Sequence, residues 1–278
     1  MISSFVITFR EMLEAALIVG IILSYLARTK QSKYDNVVYV GIGAGIIASV
    51  IGAWLFVLVA GGFEGTAEQI FGGVTTLVGA ALLTTMILWM RKQKNIAGAL
   101  ESRIAEKISG VNRFGLFSLV FVSVFREGIE TVIFLGAANF VSSENNIVGA
   151  LLGIVAAVIL GYLIFVGSMK INLKKFFSIT GILLIIFAAG LVAHGIDELQ
   201  EAGIVQPVVA HLWDLNPPLN PDGTFPLLHE DGLLGSILHD LFGYVADPSL
   251  IEVASYAAYI LLVFVAWRRM DVTAAFKK

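Results

Sequence analysis

The sequence FVITFREMLEAALIVG at residues 5–20 places an arginine and two glutamates inside an apolar run of bilayer-spanning length. A near copy, FVSVFREGIETVIFLG, occupies residues 121–136. Aligned without a gap, the copies are identical at Phe5/Phe121, Val6/Val122, Phe9/Phe125, Arg10/Arg126, Glu11/Glu127, Glu14/Glu130 and Gly20/Gly136. A charged side chain at the centre of a membrane helix costs about 2.5–3.5 kcal/mol, so six would cost about 15–20 kcal/mol without compensation. The duplicated segment therefore predicts a polar interior in which function resides.

The composition indicates a helical membrane protein. Of the 278 residues, 58 % are hydrophobic and only 14 % are charged, whereas soluble domains contain about 25 % charged residues. The mean hydropathy is +0.88. The chain contains no cysteine, so any metal must be held by oxygen or imidazole ligands. We expect a single transmembrane domain over residues 1–278, embedded in a lipid bilayer and with no nucleic-acid partner.

Seven apolar segments have the length of a membrane-spanning helix. They lie at about residues 2–26, 37–60, 70–90, 114–140, 147–169, 176–197 and 251–267. Because these runs are continuous rather than alternating, helices are favoured over a barrel, and we expect an all-α protein with seven transmembrane helices. We interpret residues 198–250 as an outer loop, in which GLLGSILHDLFGY forms a short helix at the membrane interface.

The positive charges predict the orientation of these helices. Arg10 and Arg126 lie inside predicted spans, and the other 16 of the 18 lysines and arginines fall in alternate connections. These connections follow the first span (Arg28, Lys30, Lys33), the third (Arg91 to Arg113) and the fifth (Lys170, Lys174, Lys175), and include the tail (Arg268, Arg269, Lys277, Lys278). Lysine and arginine accumulate on the cytoplasmic side, so we expect the N-terminus outside and the C-terminus in the cytoplasm. The connection after the third span also has the spacing of an amphipathic cytoplasmic helix.

This orientation places the two copies of the charged segment on antiparallel helices. A second pair of segments, GIIASVIGAWLFVL at 45–58 and GIVAAVILGYLIFV at 153–166, is also similar. We therefore predict a three-plus-three repeat of inverted topology, with repeat 1 at about 1–90, repeat 2 at about 114–197 and the seventh helix appended. Inverted repeats are typical of transporters, whose substrate site lies near the bilayer midplane between the two halves.

The two charged segments supply the chemistry of a cation site. Arg10 and Glu14 are four residues apart, and Glu11 and Glu14 are three apart, so each helix presents its charged groups on one face. Four glutamates and two arginines sum to a charge of −2, which would balance one divalent ion. Carboxylates suit hard cations such as magnesium, calcium, manganese and iron. The alternative is a pair of structural arginine–glutamate bridges joining the two helices.

Further acids lie at the predicted outer side of the membrane. His194, Asp197, Glu198 and Glu201 follow one another at helical spacing and form one stripe at the end of the sixth span. We interpret this stripe as a secondary cation path, with Glu64 and Glu68 as further candidates at the start of the third span. The alternative is a solvated helix end. The outer-loop histidines (His211, His229 and His239) are expected to form local bonds only.

The duplicated motif resembles the Arg-Glu-Gly-Leu-Glu hallmark of the high-affinity, oxidase-dependent iron permeases. The two copies read Arg10-Glu11-Met12-Leu13-Glu14 and Arg126-Glu127-Gly128-Ile129-Glu130. The resemblance covers almost the whole chain, and its length and topology are most similar to the bacterial ferrous-iron uptake branch. Met12 replaces the family glycine in the first copy, so the two halves are expected to be less equivalent.

The resemblance implies a permease rather than an enzyme, located in the cytoplasmic membrane. Its substrate would be Fe²⁺ or Fe³⁺, and no prosthetic group is implied. The family assigns iron binding to the motif glutamates, which here are Glu11, Glu14, Glu127 and Glu130. Arg10 and Arg126 would then be charge-balancing partners. The implied protein partners are a periplasmic iron-binding protein and a haem peroxidase or an oxidase.

Two other functions stay open from the residues alone. One is transport of manganese or another divalent cation, because carboxylate sites discriminate poorly among hard ions. The other is an intramembrane carboxylate–metal oxidoreductase. Such enzymes use Glu-x-x-His pairs on facing helices, and none of the four histidines follows a glutamate at that spacing.

Overall fold

The computed structural model describes residues 1–92, 113–141, 146–165, 173–220, 222, 224–230 and 232–275. Within these ranges the chain forms α-helices and no strands. The helices are α1 (Ile2–Arg28), α2 (Asp35–Ala60), α3 (Thr66–Lys92), α4 (Arg113–Val141), α5 (Asn146–Phe165), α6 (Leu173–Glu201), α7 (Leu233–Phe242) and α8 (Leu250–Ala275). The amphipathic helix predicted after the third span lies outside the described residues.

Five helices of the described chain are long and apolar enough to cross a membrane. They lie at Ser32–Ala60, Thr66–Met90, Ile147–Phe165, Phe176–Glu201 and Leu250–Met270. With 27 and 29 residues, α1 and α4 are of similar length, but three charged side chains interrupt the apolar run of each. The described part of the chain is therefore that of an integral membrane protein, built around two charged helices.

The helices pack in a regular pattern of pairs. The most extensive contacts join α1 to α5, α2 to α4 and α3 to α6. In addition, α1 packs directly on α4, and α8 packs on α6. The charged helices α1 and α4 therefore meet each other, and each is flanked by an apolar helix from the other half of the sequence.

Glycines allow these helix pairs to approach at backbone distance. A β-carbon on Gly45 of α2 would lie 2.9 Å from the Val124 side chain and 3.3 Å from the Phe121 carbonyl oxygen of α4. A β-carbon on Gly153 of α5 would lie 2.7 Å from the Phe5 carbonyl oxygen of α1. Gly45 matches Gly153 in one pair of similar segments, and Phe121 matches Phe5 in the other. Small residues thus set the same close packing at matching positions of the two halves.

Two apolar cores hold the bundle together. One joins α3, α4 and α6 to Ile7 of α1 and Val263 of α8, with fully buried Leu83 and Phe134 at its centre. The other joins the second half of α1 to the starts of α2 and α4. The charged segments of α1 and α4 lie between these cores along their helices, so packing on both sides fixes the direction of their side chains.

Several helices extend beyond the predicted apolar segments. The helix α6 ends at Glu201 rather than near residue 197, α3 begins at Thr66 rather than near residue 70, and α8 reaches Ala275 rather than 267. Hydropathy detects only the apolar part of a helix, and polar turns continue the backbone pattern past it. The acids predicted at the end of the sixth span are therefore helical, and the short helix predicted in the outer loop is present as α7.

Candidate metal centre

The first charged motif is enclosed by protein. The Arg10 side chain is 1 % exposed and that of Glu11 is 0 % exposed. The guanidinium lies 3.4 Å from Glu11 Oε1 through Nη1 and 3.1 Å from Glu14 Oε1 through Nη2. Nη2 also donates a 2.9 Å hydrogen bond to the Met90 sulfur at the end of α3. One arginine therefore faces both carboxylates of its own motif.

The second motif is arranged differently. The Arg126 side chain is 46 % exposed, and its Nε donates a 2.7 Å hydrogen bond to Glu130 Oε1. The same nitrogen lies 4.0 Å from Glu127 Oε1. The guanidinium carbon is 5.3 Å from the centroid of the Trp89 ring, an arrangement typical of a cation–π contact. Arg126 therefore binds Glu130 closely and leaves Glu127 to the interior.

Three carboxylates from the two motifs converge between α1 and α4. Glu11, Glu14 and Glu127 each offer an oxygen atom within 4.8 Å of the others. Three of the buried oxygens have no hydrogen-bond partner among the described residues: Glu14 Oε1, which lies 3.1 Å from Arg10 Nη2, and the two oxygens Glu11 Oε2 and Glu127 Oε2. Buried polar atoms are rarely left unpaired, because desolvation without a partner costs about 1–3 kcal/mol and more for a charge. A cation held by these three side chains would satisfy both oxygens.

The formal charge of the group favours a divalent cation. Three carboxylates contribute −3 and Arg10 contributes +1, which leaves −2. The close pair of Arg126 and Glu130 is neutral as a unit. Of the four glutamates expected as ligands, the structure thus brings together three and places the fourth, Glu130, with its own arginine.

The glycine of the second motif makes room for α2. A β-carbon on Gly128 would collide with the Ser49 side chain, whose hydroxyl donates a 2.8 Å hydrogen bond to the Gly45 carbonyl. The first copy of the motif has Met12 at this position, and that side chain is half-buried. The two motif helices therefore differ in how closely their neighbours pack.

The predicted outer stripe is divided among different partners. His194 Nε2 lies 2.9 Å from the Phe140 carbonyl oxygen and 3.3 Å from Glu198 Oε1. Glu201 accepts a 2.9 Å hydrogen bond from the side chain of Gln69. Asp197 is half-buried, and Glu64 and Glu68 are exposed around the start of α3. The stripe is thus continuous along the helix, but only His194 and Glu198 pair with each other.

Three residues near these groups carry no signal in the sequence. Trp89 and Met90 contact the two motif arginines from α3, and the His239 ring lies edge-on to His194 with 6.4 Å between the centroids. These contacts span 37 to 80 residues of sequence and follow no periodicity. Trp89 and Met90 belong to an apolar run, and His239, expected to form local bonds only, lies in α7 and meets His194 of α6.

Comparison with known proteins identifies the family of the chain. The profile of the iron permease FTR1 family matches residues 1–269. The ferrous iron permease EfeU of Escherichia coli O6:H1 is 33 % identical over 272 residues, which cover 95 % of this chain and 94 % of that protein. The ferrous iron permease EfeU of Yersinia pestis is 36 % identical over 266 residues, which cover 92 % and 89 % respectively. No solved structure matches the chain. The chain belongs to the iron permease FTR1 family.

Proposed function

We propose that this protein imports iron across the cytoplasmic membrane and that Glu11, Glu14 and Glu127 bind the ion between α1 and α4. The observation that carries the proposal is the convergence of three carboxylates from two separate helices within 4.8 Å. Family membership and the names of the similar ferrous iron permeases support iron as the substrate. They also favour a transporter over an enzyme.

The charge of the centre favours Fe²⁺ over Fe³⁺. A divalent ion is balanced by the net −2 of the three carboxylates and Arg10, whereas a trivalent ion leaves +1. Glu130 is a candidate for a fourth carboxylate, because it is a member of the same motif as Glu127 and pairs with Arg126. Manganese is the second candidate substrate, since its ligand preferences are the same.

We further propose that α1 and α4 cross the membrane, which gives seven spans and an inverted repeat. Charged residues at membrane depth are tolerated where they face a protein interior, and the Arg10 and Glu11 side chains are enclosed. The pairing of α1 with α5 and of α2 with α4 supports a twofold relation, because it exchanges the first and second helices of the two halves. The terminal ammonium of Met1 lies 3.3 Å from Asp240 of α7, which supports placing the N-terminus on the side of the predicted outer loop.

Alternating access follows from this arrangement. The halves would rock about the carboxylates, exposing them first outward and then inward. By family resemblance, a periplasmic iron-binding protein would deliver the ion, and a haem peroxidase or an oxidase would act beside it.

Uptake of radioactive iron into proteoliposomes tests the proposal. We expect saturable uptake of Fe²⁺ under ascorbate and its loss in Glu11→Gln and Glu127→Gln. The matched control is Asp222→Asn, which changes an exposed carboxylate outside both the centre and the secondary cation path. Saturable uptake that survives both substitutions would remove the carboxylate centre from the transport pathway. If unlabelled Mn²⁺ inhibits the uptake of radioactive iron more strongly than unlabelled Fe²⁺ does, manganese would replace iron as the proposed substrate.

A further inference from the structure

A cavity of about 420 Å³ lies between the first turns of α2 and α4. Four apolar and two polar residues line it: Val37, Val40, Phe114, Phe117, Asn36 and Arg113. Val40 and Phe114 are 62 % and 75 % exposed, so the cavity opens to the surface of the bundle. The lining contains none of the glutamates of the carboxylate centre. The cavity is therefore a separate feature of the fold.

The lining changes from polar to apolar at the same level on both helices. Asn36 directly precedes Val37, and Arg113 directly precedes Phe114. The predicted apolar segments begin at about residues 37 and 114, so this step marks the boundary between lipid headgroups and hydrocarbon. A phospholipid has the same step, with its phosphate at the boundary and its chains inside. The cavity therefore has the polarity of a lipid site.

A row of phenylalanine rings continues the apolar wall along α4. Phe114, Phe117, Phe121 and Phe125 stack in order, with centroid separations of 6.4, 5.9 and 5.6 Å. The last three are half-buried, so each ring retains accessible surface. The row covers 11 residues, or about 16 Å at 1.5 Å per residue, and one leaflet is half of a hydrocarbon core of about 30 Å. The row therefore offers one acyl chain a surface as long as a leaflet.

The charges around the cavity favour an anionic headgroup. Arg113 is exposed, and its planar guanidinium matches the oxygens of a phosphate. The sequence that leads into Asn36 carries three positive residues and one negative residue: Arg28, Lys30, Lys33 and Asp35. The cytoplasmic leaflet is rich in anionic lipids, whose headgroups bind basic pockets between membrane helices. The cavity thus combines a positive rim with an apolar wall.

We propose that this cavity binds one anionic phospholipid, whose phosphate contacts Arg113 and Asn36 and whose acyl chain lies along the phenylalanine row. The site rests on the proposed crossing of the membrane by α4, and not on the ion that the protein transports. A β-carbon on Gly41, just beyond the cavity, would lie 3.0 Å from the Val120 side chain, so α2 and α4 pack closely there. The lipid fills the space before this contact and stabilises the pairing of α2 with α4.

Native mass spectrometry of the full-length protein tests the site, with detergent micelles that contain phosphatidylglycerol and phosphatidylcholine in equal amounts. We expect one retained phosphatidylglycerol and a preference of about fivefold over phosphatidylcholine, as one arginine near the membrane surface provides. Arg113→Gln should abolish this preference. Arg268→Gln is the matched control, because Arg268 is an exposed arginine at the end of α8 and does not line the cavity.

A second variant tests the apolar part of the site. Val40→Trp fills the cavity from an exposed position of α2 and keeps Arg113, so we expect retention of both lipids to fall to the background of nonspecific binding. The unfolding temperature in the same detergent checks that each variant is folded. Glycerol phosphate, which has the phosphate without the chains, should not displace the lipid.

Three results would overturn the lipid site. These are unchanged retention of phosphatidylglycerol in Arg113→Gln or Val40→Trp, an equal loss in Arg268→Gln, and displacement by glycerol phosphate, which would indicate a site for small anions. Because no iron is present, the outcome is independent of the carboxylate centre. Loss of lipid retention in Val40→Trp with normal iron uptake would support the lipid site, and iron uptake that survives Glu11→Gln and Glu127→Gln would leave it standing.

Discussion

The two Arg-Glu-x-x-Glu motifs have the same charged residues and different surroundings. In α1, Arg10 is 1 % exposed and faces both Glu11 and Glu14. In α4, Arg126 is 46 % exposed and binds Glu130 at 2.7 Å, while Glu127 is 4.0 Å away. The repeat in sequence therefore does not produce a symmetric site. One motif contributes both of its carboxylates to the converging group, and the other contributes one.

In the proposed inverted repeat, any single conformation is expected to show such an asymmetry. The two halves can exchange their environments when the protein changes the side to which it opens. Each motif would then be enclosed in one state and partly exposed in the other. Substitutions at matching positions of α1 and α4 measure how different the two motifs are.

The largest difference in stability is expected between substitutions of the two motif arginines, Arg10 and Arg126. Arg10→Gln leaves the buried Glu11 without its cation, and removal of one partner of a buried pair costs about 3–5 kcal/mol. Arg126→Gln removes a half-exposed pair, which contributes about 0–1 kcal/mol. Thermal unfolding in detergent, monitored by tryptophan fluorescence, measures the destabilisation caused by each substitution. Equal destabilisation by the two substitutions would contradict the asymmetry.

The next difference concerns the carboxylates at the ends of the motifs. We expect Glu14→Gln to lower iron uptake about 100-fold, because Glu14 belongs to the converging group, and Glu130→Gln to lower it about tenfold. Initial rates in proteoliposomes distinguish the two variants. Asp222→Asn, at an exposed position outside the secondary cation path, controls for the loss of a carboxylate. A larger loss in Glu130→Gln than in Glu14→Gln would show that the ion binds chiefly to the second motif.

The third difference concerns the stability of variants at the third position of the motif, which is Gly128 in α4 and Met12 in α1. Gly128→Ala introduces a methyl group that collides with Ser49, and overpacking costs about 1–3 kcal/mol. The double variant Gly128→Ala/Ser49→Gly is expected to recover most of this stability, because the colliding side chain is removed. Met12→Ala, at the matching position of α1, serves as the comparison. Unfolding temperatures of the three variants measure the effect, and a Gly128→Ala protein as stable as the wild type would contradict the close packing of α2 on α4.

The smallest effect is expected at Trp89. Its ring contacts the half-exposed guanidinium of Arg126, and exposed cation–π contacts contribute about 0.5–1 kcal/mol. Trp89→Leu should therefore destabilise the wild type by that amount beyond any loss of packing. In an Arg126→Gln background the additional loss should vanish, which a double-mutant cycle measures. An unchanged effect in that background would mean that Trp89 acts through packing alone.

The fold could be predicted from the sequence to the extent that it depends on local composition. Continuous apolar runs identify α2, α3, α5, α6 and α8, and the echo of 45–58 in 153–166 indicates related helices. The helix ends could not be predicted, because turns such as that of Glu198 and Glu201 are polar and still helical.

The sequence predicts the chemistry of the candidate centre, a group of motif carboxylates, but not its geometry. The duplicated motif pointed to Glu11, Glu14, Glu127 and Glu130, since charged residues in an apolar helix need a common interior. The structure brings the first three of them together. The pairing of Glu130 with Arg126 could not be predicted, because the same residue types at the same spacing behave differently in α1. The contact between Met90 and Arg10 depends on how α3 packs, and the meeting of His194 with His239 depends on the path of the outer loop.

The central claim is that iron binds between α1 and α4 on three of the four motif glutamates. The most direct test is anomalous scattering at the iron absorption edge from crystals grown with Fe²⁺ under reducing conditions. The account predicts an iron peak about 2.0–2.2 Å from carboxylate oxygens of Glu11, Glu14 and Glu127, with Glu130 still bound to Arg126. Iron peaks elsewhere in the protein and none beside these carboxylates, from protein that transports iron, would contradict the claim.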